Sequence, residues 1–334
     1  MDTTGKEYFY HLDMMKGIAI VLVVIGHVML FTFDINPSEP SKFIYFNMPL
    51  FFYISGFLAY RETDSLKDMG EKVFHRGLIL LVPYLMFLTL YNIFAGNADN
   101  ILSLIIGGGQ RYWFLYYLFI LSTFFIIYGY TIRSVHSTWL YVILWLLPLV
   151  TLIIAKTVLL RQGYADGDAY ANISRLLNYY RYFLIGFLCR KYASFNRLLF
   201  KNSYIFAIGF VFYFLNWYFF EMHNMFLIFF GTLGAIIVLQ NWIQQSVAPL
   251  SAVGRLLIYV GRCSLGIYVI HYFFIPSFPE NVHRILCIGN PFIWQLTMAV
   301  LIAVPIVTAS IFVYKMISMN RWLYLSFFGK IYKK

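Results

Sequence analysis

Long apolar runs recur from one end of the chain to the other, and polar residues gather in the short stretches between them. Ten such runs can be marked, at about residues 15–33, 42–60, 75–95, 112–131, 139–159, 176–193, 201–220, 224–242, 259–278 and 291–318. Each approaches the ~20 consecutive apolar residues that carry a helix across a bilayer. The pattern predicts an all-α integral membrane protein of about ten transmembrane helices. Basic residues between the runs then set its orientation. Lys6, Lys16, the group from Arg61 to Arg76, Arg133, the group from Arg190 to Lys201, Arg255, Arg262 and the group from Lys315 onward fall on one side. Only Lys42, Arg111, Lys156, Arg161, Arg175 and Arg284 fall on the other. This bias predicts that the N- and C-termini are both cytoplasmic, and an even number of spans agrees.

The polar residues that interrupt the runs are the candidates for chemistry. The first run contains DMMKGIAIVLVVIGH, from Asp13 to His27. Lys16 and His27 stand about three helical turns apart, so they share a face at a separation of roughly 16 Å. That face carries a cation at one membrane surface and an imidazole deep in the span, where an ionisable residue points to function. The second run reads NMPLFFYISGFL from Asn47, with Pro49 placed to kink the helix and Gly56 placed for close packing. Lys72, His75 and Arg76 open the third run, either as a topology signal or as a phosphate-binding cluster. Gly107 to Gly109 precede Arg111-Tyr112-Trp113 and give the fourth run a pliable start; Trp113 fits either an interfacial aromatic belt or a sugar-stacking ring. Asp166 and Asp168 form a carboxylate pair without a partner in sequence, and Glu221 and His223 mark a turn. Arg181 interrupts the sixth run, either snorkelling or binding. His271, in CSLGIYVIHYFF, lies at a depth close to that of His27, so the two imidazoles either flank one cavity or pack separately.

Composition narrows these choices. The 334 residues are 61% hydrophobic and 12% charged, with mean hydropathy +0.73. That is about half the charged fraction of a soluble protein. The runs are evenly spread, so residues 1–334 are expected to form a single membrane domain. The first run is too long for a cleavable signal and more spans follow it. The net charge of +11 does not indicate nucleic acid, because the basic residues sit in topology-setting connections. Cys189, Cys263 and Cys287 lack metal-ligand spacing, and no HExxH motif, GxSxG elbow or Walker A loop occurs. No metal site is expected. What remains is a neutral imidazole able to take a proton from a hydroxyl, which suits acyl transfer. The rival class is a transporter moving a glycan-lipid or small solute through the same bundle, where buried polar residues are equally at home. Against it, neither an inverted repeat nor paired broken helices can be seen.

Asp13-x-x-Lys16-x10-His27, NMPLFFYISGFL, WFLYYLF at 113–119 and SLGIYVIH at 264–271 together resemble the acyltransferase-3 family. The likeness is nearest to its stand-alone sugar O-acetyltransferases and covers nearly the whole chain. It implies a multi-pass protein of the bacterial cytoplasmic membrane. The activity implied is transfer from cytoplasmic acyl-CoA, acetyl-CoA first among donors, to a hydroxyl of an extracytoplasmic or lipid-linked glycan. No cofactor would be held permanently. The resemblance assigns His27 to catalysis and Lys16 to the donor side. Lys72, His75 and Arg76 stand where the family has an Arg-x-x-Arg motif and are the further donor-binding candidates. Trp113, Arg181, His271 and Asn47 are the acceptor-side candidates, and Asn47 replaces a histidine common among relatives. No esterase-like extracytoplasmic domain is expected.

Overall fold

The computed structural model describes residues 8–33, 44–60, 63, 65–96, 111–219, 225–278 and 292–330. Gly107 to Gly109, Glu221, His223 and Cys287 lie outside them. The described residues are helical, with no strand among them. In chain order the helices are α1 (Tyr10–Phe31), α2 (Asn47–Ala59), α3 (Leu66–Phe94), α4 (Trp113–Thr131), α5 (Thr138–Arg161), α6 (Asp168–Lys191) and α7 (Ala193–Lys201). They continue as α8 (Ser203–Tyr218), α9 (Met225–Ser246), α10 (Ala252–Arg262), α11 (Ser264–Ile270), α12 (Phe292–Met319) and α13 (Arg321–Phe328). A single 3-10 turn, His271–Phe273, follows α11.

Every apolar run corresponds to a helix or to a bent pair of helices. Among the described residues, α1, α3, α4, α5, α9 and α12 are each long and apolar enough to cross a membrane, and α7–α8 and α10–α11 bring the number to eight if each bent pair is one span. The remaining two runs differ for physical reasons. Helix α2 has only 13 residues. Helix α6 has its apolar sequence broken by Asp168, Arg175, Arg181, Arg190 and Lys191.

The helices group into two compact units. The first comprises 1–51 and 194–317, and the second 52–193 and 318–334. In the first unit the packing of α1 against α10 is set by glycine. A Cβ on Gly261 would collide with the carbonyl oxygen of Asp13, and one on Gly17 with the carbonyl of Leu257. Two glycines facing each other's backbones allow the close approach favoured between membrane helices. Helix α10 ends at Arg262, and past Cys263 α11 leaves it at a bend of 58°. That bend directs the end of α11 toward the last turns of α1. Apolar residues surround this part of α1, among them Val24, Val28 and Met29, all buried.

In the second unit, Gly56 of α2 meets the backbone of Phe183 and Gly186 of α6 meets that of Tyr53, so Gly56 is a packing glycine as its sequence setting suggests. Trp145 is fully buried and stacks on Phe125 at 4.4 Å. Ser65 caps α3 by accepting the Asp68 N–H at 3.1 Å, which satisfies one of the unpaired donors at a helix start.

Candidate active site

His27 lies on α1, four residues before its last residue, Phe31. Its Nδ1 is 2.8 Å from Nε2 of His271. The ring planes are parallel within 1° and their centres are 5.1 Å apart. The N···N distance and the two ring radii account for that whole separation, so the rings meet edge to edge in one plane. His271 is wholly buried, and its Nδ1 is 2.9 Å from the carbonyl oxygen of Ile267, one turn back in α11. The Tyr272 hydroxyl lies 3.3 Å from Nε2 of His27. Beyond this trio the Thr32 hydroxyl donates to the Pro276 carbonyl at 2.9 Å, tying the end of α1 to the chain after the 3-10 turn. The imidazoles that the sequence places at one depth are therefore in direct contact.

Near the other end of α1 the charges form a separate cluster. Lys16 Nζ is 2.5 Å from Asp13 Oδ1, an i,i+3 pair on the helix. Arg262 Nε approaches Asp13 Oδ2 at 3.7 Å and donates to the Tyr8 hydroxyl at 2.9 Å, and that hydroxyl itself donates to Asp13. Burial, and then the Asp13 carboxylate, push the Tyr8 phenol up to about 12. Two cations and one carboxylate leave this cluster positive overall, but Lys16 is not a lone point charge.

The second unit contains a cavity of about 650 Å³, within the range of small-molecule sites. Lys72, His75 and Arg76 from the start of α3 line it, with Arg133 from the turn just after α4 and Lys191 from the end of α6. Tyr60, Thr63 and Tyr141 add polar groups. Lys72 is anchored by Asp68 at 2.7 Å and by the Thr63 hydroxyl at 3.0 Å. The Lys191 ammonium sits 3.4 Å from the centre of the Tyr141 ring, and the Arg133 guanidinium 3.7 Å from that of Tyr130. Aromatic faces hold these cations without neutralising them. The result is a cationic, partly apolar pocket at one end of the unit's helices.

The acyltransferase domain family matches residues 9–328, almost the entire chain. The chain belongs to the acyltransferase-3 family. Two curated relatives, each called nodulation protein NolL, are similar to part of it. The Mesorhizobium japonicum protein is 33% identical over 123 residues, 32% of this chain and 32% of its own length. The Sinorhizobium fredii protein is 33% identical over 121 residues, 31% of this chain and 32% of its own length. The match thus spans about a third of these relatives' length. No solved structure matches at a significant level.

The other candidates in this acyltransferase-3 protein occupy different settings. Trp113 stacks on Tyr179 at 5.2 Å, inside an aromatic cluster that includes Phe52 on the far face of Tyr179. Arg181 is turned back along its own helix, donating to the Asn178 carbonyl at 3.2 Å and to Asn178 Oδ1 at 2.9 Å. Asn47 accepts the Met48 N–H at 2.5 Å and holds the start of α2. Of the four acceptor-side candidates, the fold brings His271 to His27. Trp113 and Arg181 belong to the second unit. Asp168 lies in the first turn of α6, where a carboxylate suits the helix dipole. Among the described residues no cluster of metal-ligating side chains occurs.

Three residues escaped the sequence reading. Tyr272 follows His271 directly, but nothing in the apolar run singles it out from its aromatic neighbours. Arg133 and Lys191 read in the sequence as topology signals. The clue in the sequence is that the basic-residue bias assigns them to the same side as Lys72, His75 and Arg76.

Proposed function

We propose that the chain transfers an acyl group from cytoplasmic acyl-CoA, acetyl-CoA first among candidates, to a hydroxyl of an extracytoplasmic or lipid-linked glycan. The observation that carries this reading is the edge-to-edge contact of His27 with His271, 2.8 Å between nitrogens, within a domain of the acyltransferase-3 family. His27 serves as the general base. It takes the proton of the acceptor hydroxyl as that oxygen attacks the thioester carbonyl. The C–S bond breaks, and the departing thiolate takes the proton from His27 to leave as the coenzyme A thiol. A positioned base of this kind contributes about 100- to 10,000-fold to rate.

The donor's nucleotide head is assigned to the cationic cavity of the second unit. Coenzyme A carries a phosphorylated ADP group, and Lys72, Arg76, Arg133 and Lys191 offer it charge, with His75 alongside. Those side chains come from the ends of α3, α4 and α6 that the basic bias assigns to the cytoplasm, which is where acyl-CoA is found. The same bias places both termini there. Lys16, held by Asp13, adds to the positive field on the donor side rather than gripping a phosphate alone.

Purified protein in detergent should bind acetyl-CoA and release coenzyme A slowly with water as the acceptor. In cells, glycan mass spectrometry of a deletion strain, with and without the gene restored, should show the loss and return of one acyl mass. Absence of coenzyme A binding, together with movement of a glycan-lipid between vesicle leaflets, would establish the transporter instead.

A further inference from the structure

We infer that His271 is a positioning residue that sets the tautomer of His27, so that the reacting lone pair is on Nε2 of His27. The inference rests on His27 being the base and goes one atom deeper. A neutral imidazole has one N–H and one lone pair. Nδ1 of His271 faces the Ile267 carbonyl oxygen at 2.9 Å. An oxygen there can only accept, so that nitrogen carries the hydrogen. Nε2 of His271 therefore carries the lone pair and accepts across the 2.8 Å contact. The donor is Nδ1–H of His27, which leaves the lone pair of His27 on Nε2, facing the Tyr272 hydroxyl at 3.3 Å. The reverse polarity would set two lone pairs against each other at Ile267. A doubly protonated His271 would bury a full ionic charge at a residue with no exposed surface.

The anchor of this chain of bonds is backbone. The Ile267 carbonyl also accepts the His271 backbone N–H, so it belongs to the last turn of α11 and does not move independently. Its direction fixes His271, and His271 fixes His27, in the way that a hydrogen-bond partner on one ring nitrogen orients a ligating or catalytic imidazole. During transfer His27 becomes an imidazolium for the life of the intermediate. Its Nδ1–H then points at a neutral acceptor that stabilises the charge. A carboxylate in that position would be a permanent charge inside the membrane, which is costly. An imidazole supplies orientation without that cost. This also gives His271 a role other than gripping the acceptor: both its ring nitrogens are committed to protein partners.

The test compares His271→Phe, His271→Leu and His271→Gln with His27→Ala, in detergent, using acetyl-CoA as donor, water as acceptor and released coenzyme A as the readout. Gln presents an oxygen near the place of the His271 Nε2 and can accept from His27; Phe and Leu cannot. In His271→Phe, kcat should fall by about 100-fold, the upper end of the loss when an imidazole's outer hydrogen-bond partner is removed, while KM for acetyl-CoA stays within about twofold. His271→Gln should recover to within about tenfold of the parent rate. Melting temperature checks that each variant is folded, and His271→Leu replaces His271→Phe if the latter is not. Equal kcat losses in the Gln and Phe or Leu variants overturn the inference, as does a Phe or Leu variant within threefold of the parent. If those variants are near normal while His27→Ala is inactive, only the positioning role fails. If His27→Ala is itself active, the base assignment fails and the positioning role with it.

Discussion

The two polar regions of the molecule obey different rules. The cavity of the second unit collects cations at helix ends, where long side chains reach water and each is tolerated singly. Its members come from three helices and their partners are loose: an aromatic face for Lys191, a carboxylate one turn away for Lys72. The histidine pair of the first unit lies within apolar helices, and there each assigned N–H meets a specific acceptor. A region that water can reach is built by accumulating charge. One set within apolar helices is built by completing hydrogen bonds, because an unsatisfied polar group there costs several kcal/mol. Charge accumulation serves binding of an anion of variable pose. A closed hydrogen-bond chain serves a proton transfer that needs one atom in one place.

That contrast can be broken most sharply at His27. His27→Ala should lower turnover by about 100-fold or more and leave acetyl-CoA affinity near normal. Titration calorimetry beside a rate assay measures both; a loss confined to affinity would place His27 with the binding region instead. Next in size is Gly261→Leu. Its side chain collides with the Asp13 backbone, so α1 and α10 must part, at a cost of about 1–3 kcal/mol or more for overpacking. A lower melting temperature should accompany reduced kcat, because α10 carries the helix that ends in His271. An unchanged melt would show that the close approach of these helices is not needed.

The cavity should behave differently under mutation. Arg76→Ala should weaken acetyl-CoA binding by about 1–2 kcal/mol, as for a lost charge-assisted bond, with kcat held and the difference shrinking as salt rises. A salt-independent loss in kcat would transfer Arg76 to the chemical step. The smallest effect is expected at Lys16. Its charge is already offset by Asp13 at 2.5 Å, and Arg262 remains beside that carboxylate. Lys16→Ala should therefore change donor affinity by less than about 1 kcal/mol, the worth of a cation whose charge a carboxylate already offsets. A tenfold loss at low salt would show that Lys16 meets the donor directly.

Much of this was legible in the residues. Apolar runs located all the helices that match them, since a membrane span must satisfy its own backbone and cannot be replaced by another local structure. Gly56 could be read as a packing residue because small residues in an apolar helix have few other uses. The exceptional status of His27 was equally visible: an imidazole within an apolar run is conspicuous by its solvation cost alone. Trp113 and Arg181 were not decidable in this way. An interfacial tryptophan and a snorkelling arginine look the same in sequence whether they face a neighbouring ring, their own helix or a ligand, and here Trp113 meets Tyr179 and Arg181 meets Asn178.

Sequence alone determined the helical class, the membrane setting and the family and singled out His27 as a candidate, because hydropathy, desolvation and motif spacing are written residue by residue along the chain. Tertiary structure decided the partners. The pairing of residues 27 and 271 depends on glycine contacts between α1 and α10 and on a 58° bend at Cys263, neither of which has a local signature. The convergence of Lys72, Arg133 and Lys191 on one cavity likewise depends on which helix ends come together. Hydrogen-bond direction lies further from sequence still: which nitrogen of His27 holds the lone pair follows from a carbonyl in another helix, two bonds away through His271.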